Sequence, residues 1–141
     1  MEELRTAIVG SGGMARVRAQ DLASLEGVTL SAIAARNPET GPALASETGA
    51  SLSTDWQAVV GRDDIDAVVI TTHNALHGEI VLAALDAGKA VLTEYPVCRT
   101  LDEAQAILDR IERPDCPAFM STHRELLSRR HRVLRGAASE L

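Results

Sequence analysis

An α/β fold built on a doubly wound parallel sheet is the class this sequence predicts, on three observations. Apolar runs of strand length alternate with amphipathic segments of helix length along the whole chain. The first run, Thr6-Ala7-Ile8-Val9, passes directly into a small-residue turn, Gly10-Ser11-Gly12-Gly13-Met14-Ala15. The helical segments between runs are about ten residues long, the length a right-handed crossover between parallel strands requires.

The turn spaces its small residues as G-x-G-x-x-A. Gly10 permits the tight exit from the strand. Gly12 lacks a Cβ, so backbone can approach a pyrophosphate, and Ala15 is small enough for the helix to pack close to the sheet. Ser11, Gly13 and Met14 complete the loop. A strand before and a helix after (Ala15 to Leu25) suit a diphosphate seated on a helix N-terminus. A tight βα turn with no ligand would carry the same letters.

The second run, Val28 to Ala35, is continuous, as a strand buried on both faces should be, and Asn37-Pro38 breaks it. A helix over Glu39 to Thr48 stops at Gly49. Ser51-Leu52 allows only a short third strand. Thr54 and Gln57 read as a capping box opening a short helix to Val60. Asp66 to Ile70 is the fourth strand. Asn74 caps a helix through Asp86, with Leu76, Ile80, Ala84 and Ala87 on one face, ended by Gly88. Ala90 to Thr93 is the fifth strand. Thr100 and Glu103 form a second capping box, whose helix buries Leu101, Ala104, Ile107, Leu108 and Ile111 before Arg113-Pro114. Ala118 to Ser121 is a sixth strand and Arg124 to Arg135 a last helix.

The chain has 141 residues, net charge −6 and three aromatic residues, Trp56, Tyr95 and Phe119. The core must therefore be aliphatic, and nucleic acid is disfavoured as a partner. Five Arg against two Glu in residues 121–141 read as a solvated helix face, with an RNA or membrane contact as the alternative. The N-terminus lacks an export signal, and no run reaches the ~18 residues of a membrane span. Cys98 and Cys116 fit no metal or redox spacing, so no metal is expected and a cytoplasmic location is.

Ligands of such sheets sit beyond the carboxyl ends of the strands. After strand two, Ala35-Arg36-Asn37 offers an arginine and no carboxylate, which favours NADP over NAD; a plain exposed charge is the alternative. After strand four, Thr71, Thr72 and Asn74 suit hydrogen bonds to a ribose or nicotinamide, and His73 and His77 are candidate proton donors. After strand five stand Glu94, Tyr95 and Pro96, of which Glu94 could accept from a cofactor hydroxyl.

The glycine turn, the Asn74-x-x-His77 segment, the Ala87-Gly88-Lys89 entry to strand five and Glu94-x-Pro96 together resemble the glucose–fructose oxidoreductase / inositol dehydrogenase (Gfo/Idh/MocA) family over residues 5–124. That resemblance implies a Rossmann-type NAD(P)-binding domain and hydride transfer from a nicotinamide cofactor. The family's usual tripeptide is Glu-Lys-Pro, whose lysine assists proton transfer to a sugar hydroxyl. Here Tyr95 replaces it, and the only lysine, Lys89, lies at the other end of strand five. Glu94-Tyr95-Pro96, Asn74 to Gly78 and His123-Arg124-Glu125-Leu126-Leu127 resemble the biliverdin reductase branch, which reduces the methine bridge of a linear tetrapyrrole. Tyr95 would then lie beside the nicotinamide; a phenol is a weak acid at neutral pH, which favours positioning over proton donation.

Family members carry a second, substrate-binding domain. The resemblance therefore implies a cofactor domain over residues 1–122, a terminal helix over 123–141, and little catalysis by this chain alone. Leu126, Leu127, Val133 and Leu134 would be partly exposed and favour self-association as a homo-oligomer. A sugar or polyol dehydrogenase of the same family, or a non-catalytic dinucleotide sensor, are the alternatives.

Overall fold

The computed structural model describes residues 3–122, which form six parallel strands flanked by five helices. The order across the sheet is β3 (Ser51–Ser53), β2 (Val28–Ala34), β1 (Leu4–Val9), β4 (Ala67–Ile70), β5 (Ala90–Glu94), β6 (Phe119–Thr122). The chain begins at the centre, winds out to β3, crosses back to β4 and winds the other way. The direction reverses between β1 and β4, so the crevice of a doubly wound sheet opens there.

Each apolar run divides its side chains between two cores, as a period of two demands. Ala7 and Val9 of β1, Ala32 and Ala34 of β2, and Val68 and Ile70 of β4 face one side. They meet α3 (Trp56–Val60), α4 (Asn74–Asp86) and α5 (Leu101–Ile111) through Val59, Ile80, Val81, Ala84 and Ile107. Ile8, Ile33 and Val69 face the other side, against Ala15 and Ala19 of α1 (Gly13–Ala23) and Leu44 of α2 (Thr40–Thr48). Burying each Val, Ile or Leu among these contributes roughly 1.5–3 kcal/mol, and each Ala less. The near absence of aromatics is thus made good by many interdigitated Val, Ile and Ala.

Helix ends follow the sequence reading in outline, with corrections in detail. Gly49 and Gly88 both take left-handed φ, +74° and +70°, where α2 and α4 stop. The Thr100–Glu103 capping box is formed, Glu103 N–H donating to Thr100 Oγ1 at 3.1 Å and Thr100 N–H to Glu103 Oε2 at 3.3 Å. Asp55, not Thr54, caps α3: its Oδ1 accepts from the N–H groups of Gln57 and Ala58. Asn74 is the first helical residue of α4, and His73 holds the extended cap position without a side-chain cap bond. α1 begins at Gly13, so the glycine turn itself forms the helix start. In α5 only Ile107 is fully buried; Leu101 is 88 % exposed and Leu108 is also exposed. This helix packs chiefly against α4, and the rest of its stripe is left uncovered.

Among the described residues no helix is long and apolar enough to cross a membrane. The helix expected over Arg124 to Arg135, with Leu126, Leu127, Val133 and Leu134, lies outside the described residues, as does His123 to Leu127.

Candidate functional site

A cleft of about 530 Å³ opens at the carboxyl ends of β1, β2 and β4. Gly10, Ser11, Gly12, Arg36, Thr71, Thr72 and Asn74, all nominated from sequence, line it. The two glycines at its floor do different work. Gly10 has φ +125°, and a Cβ there would sit 2.5 Å from Thr71 Oγ1 and 2.8 Å from Thr71 O. The closeness of β1 and β4 at their ends therefore requires glycine. At Gly12 and Gly13 a Cβ would meet nothing within 4 Å, so both stand clear of the rest of the chain.

Gly12 is also the N-cap of α1, and no side chain caps that helix. The first-turn N–H groups have no intrahelical acceptor by construction, and the helix dipole adds positive potential there. Ala15 is fully buried between Ile8 and Ile33 of the core, which brings α1 down onto the sheet. Ser11 Oγ hydrogen-bonds Thr40 Oγ1 at 2.7 Å, tying the turn to the start of α2. Asn37 Oδ1 accepts from the N–H groups of Glu39 and Thr40, fixing the loop that carries the exposed Arg36.

Thr71 holds the β1–β4 junction, donating to Val9 O from its N–H at 2.9 Å and from Oγ1 at 3.2 Å. His77 is 1 % exposed. Its Nδ1 lies 2.6 Å from Pro96 O and its Nε2 3.0 Å from Thr72 O. Neither nitrogen is open to the cleft, so the proton-donor role read from sequence for His77 has no exposed atom to perform it.

Glu94 ends β5 and Tyr95 and Pro96 follow it, outside the cleft lining, and the Tyr95–Pro96 peptide bond is cis. Both Glu94 oxygens are engaged by protein. Oε1 accepts from Arg18 at 2.7 Å and Oε2 from Thr122 Oγ1 at 2.6 Å. Arg18 also pairs with Asp21. Burial works against the charged guanidinium, but hydrogen bonds and attraction from Glu94 and Asp21 outweigh it and hold Arg18 above its ordinary pKa. This cluster ties α1, β5 and β6 together, so Glu94 is a tie first, not an open acceptor. Tyr95 is 64 % exposed beside it.

Sequence reasoning missed Thr54 and Trp56, which also line the cleft. The end of β3 was not among the nominated strand ends, because two residues gave so little strand to read. Trp56 is the chain's one tryptophan and opens a helix directly after a strand, and that signal could have found it. Its ring packs against the core beside α3 while also walling the cleft.

Residues 4–123 match the GFO_IDH_MocA family model, described as an oxidoreductase family with an NAD-binding Rossmann fold. The chain is 32 % identical over 108 residues to a 4-carboxy-2-hydroxymuconate-6-semialdehyde dehydrogenase of Sphingobium, covering 76 % of this chain and 34 % of that one. It is 32 % identical to a 1,5-anhydro-D-fructose reductase of Ensifer adhaerens, covering 96 % of this chain and 41 % of that one. Among solved structures it is similar to a biliverdin reductase of Synechocystis in complex with biliverdin and NADP+, with TM-score 0.83 and 30 % identity, covering 96 % of this chain and 43 % of that one. The chain thus spans between a third and a half of the length of these relatives.

Proposed function

We propose, from the premise that this chain belongs to the Gfo/Idh/MocA family of oxidoreductases through its NAD-binding Rossmann domain, that the cleft holds a nicotinamide dinucleotide for hydride transfer. The observation that carries the reading is the uncovered backbone at Gly12 and Gly13, on an uncapped helix start at the strand-order reversal. A diphosphate fits that cradle. Gly10, Ser11, Gly12, Gly13, Met14 and Ala15 shape it, and Arg36 faces a ribose 2′-phosphate, which makes NADP(H) the preferred form. Thr71, Thr72 and Asn74 address the other half of the dinucleotide. When bound, the reduced nicotinamide supplies the hydride. The protein supplies orientation, with Tyr95 as a wall or hydrogen-bond donor beside the transfer rather than as its acid.

For substrate we propose a linear tetrapyrrole. Tyr95 in place of the lysine expected of sugar-oxidising relatives supports this, as does the likeness to the Synechocystis biliverdin reductase. The likeness to 1,5-anhydro-D-fructose reductase over nearly the whole chain favours a sugar or polyol as the second reading.

Titration of the chain with NADPH and with NADH tests the cofactor reading. NADPH should bind about tenfold or more tightly, since a charged hydrogen bond contributes ~1.5–3 kcal/mol. Arg36→Ala should bring the two affinities together. Equal affinities in the parent chain remove the NADP preference, and binding of neither removes the oxidoreductase reading.

A further inference from the structure

We infer that His77 is a positioning residue that fixes the spacing of the two loops receiving the nicotinamide half of the dinucleotide. The inference rests on the cofactor reading above and deepens it. Arg36, at the end of β2, marks the adenosine side of the cleft, and Gly12 marks the diphosphate. The remaining half must extend past the ends of β4 and β5, where residues 71–77 and 94–96 lie.

His77 joins those two loops. Its ring is buried in the first turns of α4 and reaches a backbone carbonyl in each, Thr72 O by Nε2 and Pro96 O by Nδ1. Covering an apolar face of α4 would need no such atoms; both partners are carbonyl acceptors and a neutral imidazole has one N–H, so the ring donates to one loop and lies in close polar contact with the other. Each loop has its own second anchor. The Thr72 loop is held to β1 by Thr71 on Val9 O, under the close approach of Gly10. The Tyr95 loop is held by Glu94 on Arg18 and Thr122. Tyr95, exposed between Glu94 and Pro96, is thus set from both sides, and the imidazole is the direct link from its loop to the cleft wall.

The test compares NADPH with 2′-phospho-ADP-ribose, which keeps the adenosine half and diphosphate but lacks nicotinamide. In His77→Ala, NADPH affinity should fall about tenfold while affinity for the fragment changes less than twofold, as expected for the loss of local hydrogen bonds. The change in nicotinamide fluorescence on binding should shrink with it. His77→Asn places a donor near the Nδ1 position and His77→Gln near Nε2, so each should keep one link and give an intermediate loss. These milder variants decide the matter if the alanine variant does not fold. Equal weakening of both ligands, or no weakening of either, overturns the positioning role and leaves the cofactor reading intact. Failure of the parent chain to bind either ligand overturns both.

Discussion

Replacing Gly12 with aspartate is expected to weaken NADPH binding by about 100-fold or more, equivalent to ~2.7 kcal/mol, without lowering the stability of the fold. The backbone there is ordinary, φ −78° and ψ −168°, and open space surrounds a Cβ. Aspartate is a favoured N-cap and could satisfy first-turn N–H groups of α1, adding a few tenths of a kcal/mol over glycine. The same carboxylate would occupy the cradle and repel a diphosphate. Isothermal titration with NADPH, paired with a thermal melt, separates the two effects. Parent-like binding by a folded Gly12→Asp protein would mean that the diphosphate does not sit at this turn.

Gly10→Ala should do the opposite and damage the fold itself. Alanine at φ +125° costs ~1–3 kcal/mol in backbone strain. Its methyl would also press on the Thr71 backbone, at 2.8 Å from O and 2.9 Å from C, where no side-chain rotation relieves the contact. Overpacking of this kind adds about 1–3 kcal/mol. The sum is a large fraction of the 5–15 kcal/mol typical of a domain. Urea unfolding should show the midpoint falling sharply. Gly13→Ala, which sits in open space within the helix, is the control and should be neutral or slightly stabilising. A Gly10→Ala midpoint equal to the parent's would show that the β1–β4 junction yields more easily than its geometry implies.

Much of this was legible in the sequence, for identifiable reasons. The continuous runs at Val28–Ala34 and Ala67–Ile70 read as buried strands because both faces of the sheet are covered. Glycines after helices read as stops because left-handed φ has few other tenants. Capping was harder. Thr54 and Asp55 are adjacent and both able to cap, and only the backbone angle decides between them. The faces of α5 were misjudged because helical spacing gives a stripe but not how much of it the neighbours cover.

At the site, residues that act through the backbone were readable and those that act through tertiary contacts were not. Spacing exposes Gly10, Gly12 and Ala15. Nothing in the local pattern shows that Glu94 would meet Arg18 across 76 positions, or that the His77 ring would lie between two carbonyls. A histidine after a strand looks like an available acid until its burial is known. Trp56 escaped because β3 is so short that its end was not counted among the strand ends.

Lys89 has a practical consequence for handling the molecule. It is the sole lysine, it is 9 % exposed, and its Nζ donates to Arg62 O at 2.8 Å, at the amino end of β5 and so away from the cleft. Amine-directed dyes and cross-linkers should therefore leave Lys89 of the folded chain largely unmodified. Acylation of Lys89, followed by peptide mass spectrometry, should rise steeply only as denaturant opens the sheet. A single native side chain thereby becomes an internal gauge of unfolding, requiring no engineered label.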